Sequence, residues 1–180
     1  MIFDTFPHNP ELYNEDLRPI VASAIEKYGR EEWMAAVLTT EIHGHLGIYA
    51  IIGVKMGIKA LEYLKAEKGD VYIKSFAGLK PPVSCMNDGL QVSTGATLGH
   101  GMIEAFYTDN PIPEAVFSTA DDSVRIKLDD LVWNIIKGKI NAAIINSGHY
   151  PHYWDYVRKL AVRYWEEMDR NTIFEIIKNG

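Results

Sequence analysis

Hydrophobic positions recur with helical period over three runs before residue 67, then give way to shorter alternating runs. Residues 14–27 open on Asn14-Glu15-Asp16 and carry Pro19 in the first turn, where a missing N–H does no harm; Gly29 stops them. Residues 31–40 form a second predicted helix, with Trp33, Met34, Val37 and Leu38 on one side. The third, residues 47–66, has one narrow charged stripe (Lys55, Lys59, Glu62 and Lys65) and is otherwise apolar. A helix so nearly apolar all round belongs at a domain centre or in a subunit interface. Gly53 and Gly57, four apart, would let another backbone approach closely, which reads as plain core packing.

Residues 70–76 alternate like a strand. Pro81-Pro82 then breaks the chain, and Ser84 is positioned to cap a short helix carrying Cys85, Asp88 and Gln91. Residues 102–107, 115–119 and 124–128 read as strands, the last two joined at Asp121-Asp122 as a hairpin. A helix over 129–139, a strand over 142–145, a helix from Pro151 to a stop near 169–171, and a final short helix complete the prediction. No repeat, linker or low-complexity stretch interrupts the chain. Helices mixed with mostly consecutive strands predict one α+β domain over residues 1–180, with helical extensions at both ends.

At 180 residues the chain can bury one good core. Apolar residues make up 47% and charged residues 23%, an ordinary globular balance. The net charge of −6, with scattered Lys and Arg, argues against nucleic acid, whose binding needs a basic face. A single cysteine excludes an intrachain disulfide and a zinc ribbon. The start, Met1-Ile2-Phe3-Asp4, lacks the pattern of a secretion signal. The longest apolar stretch, near residues 46–54, is about half of what a bilayer requires. A cytoplasmic protein without a membrane partner is the expectation.

His43-Gly44-His45 lies 40 residues ahead of Cys85. Two imidazoles and one thiol supply three ligands, the number used by a metal site with an open position. Residues i and i+2 lie about 200° apart on a helix, so both rings reach one ion only where the chain extends or turns. Gly44 permits a turn. The plainer alternative has one histidine capping the preceding helix and the other on the surface. If Ser84 caps the next helix, Cys85 falls in its first turn, where the thiol ionises more easily. Asp88 and Gln91 project on roughly the same side, as supporting or substrate-facing groups. The alternative for Cys85 is a small buried hydrophobe. The run from Thr94 to Gly101 is a glycine-dense turn that offers N–H groups to an anion or serves only as a tight connection. It contains His100, the next metal-ligand or acid–base candidate. His149 and His152 stand among aromatics, as pocket lining, as part of a second metal site, or as a surface or dimer contact.

Two segments carry a family resemblance. Glu41-Ile42-His43-Gly44-His45-Leu46 with Lys55-Met56-Gly57, and Ser84-Cys85-Met86-Asn87-Asp88-Gly89-Leu90-Gln91-Val92-Ser93-Thr94-Gly95 continuing to Gly99, resemble the FmdE-like family, named for a component of formylmethanofuran dehydrogenase. The likeness covers roughly residues 40–107. It implies an α+β fold of the FwdE-like type, similar to the C-terminal domain of glyceraldehyde-3-phosphate dehydrogenase, with a mixed, mostly antiparallel sheet packed with helices. It also implies a homodimer and a divalent metal, zinc first and nickel or iron otherwise. The implied metal ligands are His43, His45 and Cys85; Asp88 and His100 would act in catalysis, and Gln91 and Thr94 in binding a cofactor or small-molecule ligand. The chain departs from the family pattern at Gly47 and Ala96, where cysteines are expected, and at His100, where a lysine is expected. The family's C-terminal zinc ribbon is absent. Two functions follow: a metal-dependent enzyme acting on a small molecule, or a non-catalytic metal-binding accessory or metal-handling protein for a larger oxidoreductase.

Overall fold

A computed structural model describes residues 4–146 and 150–178. A 3-10 turn, Arg18–Ile20, leads into helix α1 (Val21–Tyr28). The single helix expected over 14–27 is thus broken, because Pro19 ends up in the tighter turn and α1 starts only after it. Gly29, at φ 89°, turns the chain directly into α2 (Arg30–His43). The central helix α3 (Ile48–Leu64) follows, then strand β1 (Tyr72–Ser75), a 3-10 turn (Val83–Cys85) and α4 (Met86–Thr94). Beyond a second 3-10 turn (Leu98–His100) come β2 (Ile103–Ala105), β3 (Glu114–Ser118), β4 (Ser123–Leu128), α5 (Asp130–Asn146), α6 (Tyr150–Glu167) and β5 (Phe174–Lys178).

The strands form one mixed sheet in the order β2-β1-β3-β4-β5, and the fold is α+β. β1 and β2 run parallel, with Ile73 opposite Ile103, so the chain between them crosses over through α4. The β1/β3, β3/β4 and β4/β5 pairs are antiparallel. Two expectations fail at the C-terminal end. Residues 142–145 continue α5 instead of forming a strand, with Ala143 turned into the core. The expected last helix is strand β5, whose Ile176 pairs with Ile126 of β4. Helix propensity there gives way to the open edge of β4.

Ile73, Phe117, Val124, Ile126 and Leu128 point to the helix-covered face of the sheet and are buried by α3 and its neighbours. α3 is the domain-centre helix its composition calls for, buried from Ile48 through Ile58. Its two glycines are used by α4. A Cβ on Gly53 would overlap the Met86 carbonyl, and one on Gly57 would overlap the Ser93 hydroxyl. Gly89 of α4 returns the contact against the Ala50 carbonyl and the Val54 nitrogen. The helices therefore touch main chain to main chain.

One member of the charged stripe on α3 is not solvated. Lys55 is completely buried, with Nζ 2.5 Å from Glu32 Oε1 on α2 and 3.7 Å above the Tyr28 ring. The other Glu32 oxygen takes Arg170 at 2.9 Å, and Arg170 also reaches Glu62 at 2.6 Å. Burial lowers the Lys55 pKa from its usual value, and the Glu32 carboxylate opposes that shift. Nearby, Trp33 stacks on Trp165 at 4.5 Å and donates from Nε1 to the Tyr13 hydroxyl at 3.1 Å. These contacts fasten the N-terminal segment and α6 to the same core.

Candidate metal centre and ligand pocket

His43 is the last residue of α2, and Gly44 ends that helix in the left-handed conformation, at φ 80°. The Gly44 N–H donates to the Thr40 carbonyl at 3.0 Å. This is the turn that the His-Gly-His spacing demands. It brings the two rings to a centroid separation of 4.4 Å, 40° between planes. His43 Nδ1 lies 2.7 Å from Asp88 Oδ2, so the carboxylate accepts a hydrogen bond from Nδ1–H and the Nε2 lone pair is left bare. That Nε2 is buried and makes no hydrogen bond among the described residues. A Cβ built on Gly47 would stand 3.3 Å from His43 Nε2 and 3.5 Å from His45 Nε2, so both nitrogens border the space left by the missing side chain.

His45 also meets the edge of Trp154 at 5.0 Å. Burial, and then the neighbouring His43, lower its pKa from the usual value, which favours the neutral ring a metal needs. Cys85 behaves otherwise than its helix-terminal position suggests. It precedes α4 as the last residue of the 3-10 turn, Ser84 makes no cap, and burial followed by the Asp88 charge pushes the thiol up to about 11. With only protein groups around it, the sulfur stays protonated; a cation would reverse that balance.

Two cavities adjoin here. One of about 360 Å³ is lined by His43, Cys85, Asp88 and Gln91, among others. The second, of about 200 Å³, takes His43, His45, Gly47 and Cys85 and is walled by Tyr49, Tyr153 and Trp154. His43, His45 and Cys85 thus line one pocket, yet among the described residues no three His, Cys, Asp or Glu side chains stand together as a ready-made ligand set. Gln91 borders the larger cavity, while its Oε1 accepts from the Leu98 N–H at 2.9 Å and pins the following loop.

Thr94 and His100 are not among the residues lining either cavity. Thr94 is fully buried; its hydroxyl donates to the Leu90 carbonyl at 2.7 Å and accepts from the Ala96 N–H at 3.1 Å. His100 is exposed on its 3-10 turn. The amides of Thr97, Leu98, His100, Gly101 and Met102 are all bonded within the molecule, so this glycine-dense stretch is a tight connection. His149 lies outside the described residues, and His152 is exposed on α6.

Sequence reasoning missed the aromatic wall. Tyr49 sits in the first turn of α3, its hydroxyl accepting from Trp133 Nε1 at 3.1 Å, and Tyr153 and Trp154 come from α6. The aromatic cluster around His152 was the available signal, and its aromatics rather than its histidines reach the pocket.

Among the described residues, no helix is long and apolar enough to cross a membrane. A protein of Archaeoglobus fulgidus described as a probable S-adenosyl-L-methionine-binding protein is 32% identical over 65 residues, 35% of this chain and 18% of that relative. The chain therefore spans less than a fifth of that relative's length. The family model described as FmdE, molybdenum formylmethanofuran dehydrogenase operon, matches residues 42–174, which takes in His43 and reaches the start of β5. The chain belongs to the FmdE family.

Proposed function

We propose that this protein binds one divalent metal ion, zinc first among the candidates, at His43 and His45 with Cys85 as third ligand. We assign it a formylmethanofuran dehydrogenase-related role acting on a small molecule. The observation that supports this most is the buried, unpartnered Nε2 of His43, whose other nitrogen is held by Asp88. Orphaned buried nitrogens are costly, and a carboxylate behind a histidine is the usual support for a metal ligand. The nearness of His45 Nε2 to the same empty space beside Gly47 adds to it. Cys85 would join by turning its side chain and losing its proton.

A divalent cation in this position would supply Lewis-acid chemistry at its open coordination site. The chain's own residues do the rest. Asp88 fixes the His43 tautomer, and we assign it the movement of protons, since its side chain is 35% exposed beside the larger cavity. Gln91 holds the loop that rims that cavity. The aromatic wall lines the smaller cavity on the side of His45 and Cys85. We take the fold to be of the FwdE-like type and one domain.

The test is metal analysis of protein purified without added metal. Close to one zinc per chain is expected in the native protein and none in His43→Ala or His45→Ala. Asp88→Asn should bind about 10–100-fold more weakly through loss of its support. Stoichiometric metal retained in either histidine variant would overturn the ligand set. A second reading, a non-catalytic accessory of a larger oxidoreductase, draws on the operon named in the family description. A bound metal without an exchangeable position would favour it.

A homodimer belongs to the same proposal. Its support is the exposed face of α5, where Leu131, Ile135 and Ile145 recur at helical spacing with Gly138 and Ala142 between them. Leu131→Asp with Ile135→Asp is expected to halve the mass in sedimentation equilibrium. An unchanged mass would remove α5 from the interface.

A further inference from the structure

The two cavities that adjoin along His43, Pro81 and Cys85 have different chemistry. The smaller is a slot with aromatic and aliphatic walls, Tyr49, Tyr153, Trp154, Ile140 and Val157. The larger is polar on its α4 side, where Ser84, Asn87, Asp88 and Gln91 face it. Among the described residues no lysine or arginine lines either, and Asp88 is the one carboxylate in the two linings.

Most of the polar groups are already engaged. The Asn87 amide accepts from the Ser75 hydroxyl at 2.5 Å and donates to the Gly78 carbonyl at 2.9 Å. Gln91 Oε1 is taken by Leu98. The 3-10 turn ahead of α4 uses the amides of Cys85 and Met86, so they offer nothing to an anion. Among the described residues Asp88 Oδ1 and the Ser84 hydroxyl have no protein partner, because Asp88 reaches His43 through Oδ2 alone. What remains on the polar side is a pair of oxygens, one from a carboxylate and one from a hydroxyl. A carboxylate or phosphate placed there would meet Asp88 with no cationic side chain on the walls to offset it.

We propose that the two cavities are halves of one site for a small molecule with a flat ring and an uncharged or cationic head that donates hydrogen bonds, such as an amide, amidine or amine. The ring lies against Tyr153 and Trp154, and the head donates to Asp88 Oδ1 and Ser84 Oγ. The bond between ring and head lies at the junction of the cavities, beside His43 and Cys85. The inference rests on the reading of this pocket as the working site, but it depends on the cavity walls and not on the ion.

Three probes of one shape and different charge separate the outcomes: benzamidine, benzamide and benzoate. The full chain, stripped of metal with a chelator, is titrated with each while the Trp154 indole and His43 ring resonances are followed. Benzamidine and benzamide are expected to shift both sets of signals, with benzoate about tenfold weaker or more. Asp88→Asn should abolish the preference of benzamidine over benzamide while benzamide still binds. Trp154→Ala should weaken all three. Benzoate binding as tightly as benzamide would overturn the proposal, as would shifts from none of the probes or binding that ignores Trp154→Ala. Because the titration uses metal-free protein, a failed zinc analysis leaves this result standing, and a failed titration leaves the zinc result standing.

Discussion

Glu32→Ala is expected to cost about 3–5 kcal/mol of folding stability, because it strands the Lys55 ammonium inside the protein without its partner. The side chains of Lys55 and Glu32 are 0% and 1% exposed, so water cannot substitute for the lost carboxylate. Arg170 would keep Glu62 and lose much less. The cost arises from the uncompensated charge and not from an unusually strong bond. Hence Glu32→Met combined with Lys55→Met should recover most of the loss, since apolar replacements of similar size are often neutral or better than the buried pair. Urea unfolding midpoints of the two variants decide the matter. A Glu32→Ala midpoint equal to that of the native chain would show that Lys55 does not depend on Glu32.

Among the described glycines, Gly89→Ala should be the most damaging single-methyl change. Its new Cβ would overlap the Ala50 carbonyl and crowd the Val54 nitrogen, which are main-chain atoms of the central helix and cannot rotate away. α3 and α4 must then separate, at a cost of about 1–3 kcal/mol or more for an overpacked contact of this kind. The movement would also carry Asp88, one residue earlier on α4, away from His43. Loss of stability should therefore come with loss of the His43 Nδ1–H signal protected by the 2.7 Å hydrogen bond. A variant within about 0.5 kcal/mol of the native chain, as a surface substitution would be, refutes the close approach.

How much of this was legible in the sequence depends on the range of the interaction. The apolar run of α3, the β3–β4 hairpin and the turn at Gly44 are local patterns, and they came through. His43, His45 and Cys85 line one pocket and Asp88 bonds His43, a meeting of two segments that only the family resemblance implied. Among the described residues no three His, Cys, Asp or Glu side chains stand together as a ligand set. The state of residues 174–178 did not come through, since only pairing with β4 makes them a strand. Residues 142–145 end in two strand-favouring isoleucines, yet the segment is helical and Ala143 packs into the core. The burial of Lys55 was hidden too: its partner lies 23 residues earlier, and a lysine in a charged stripe looks solvated until the second helix is in place. Thr94 was expected to bind a ligand and His100 to act as an acid or base, both from a glycine-rich run. The structure engages the Thr94 hydroxyl with backbone and leaves His100 at the surface.

Two of the three aromatics in the wall of the smaller cavity, Tyr153 and Trp154, come from α6, whereas the imidazoles and thiol come from the turn that ends α2 and the threshold of α4. On the proposed reading, ligation and selectivity are thus encoded on stretches of gene that can vary independently. Grafting the first turns of α6 from one family member onto another should change which molecules are accepted and leave the affinity for the ion alone. Such a division would let a lineage diversify its chemistry by drift in a single peripheral segment.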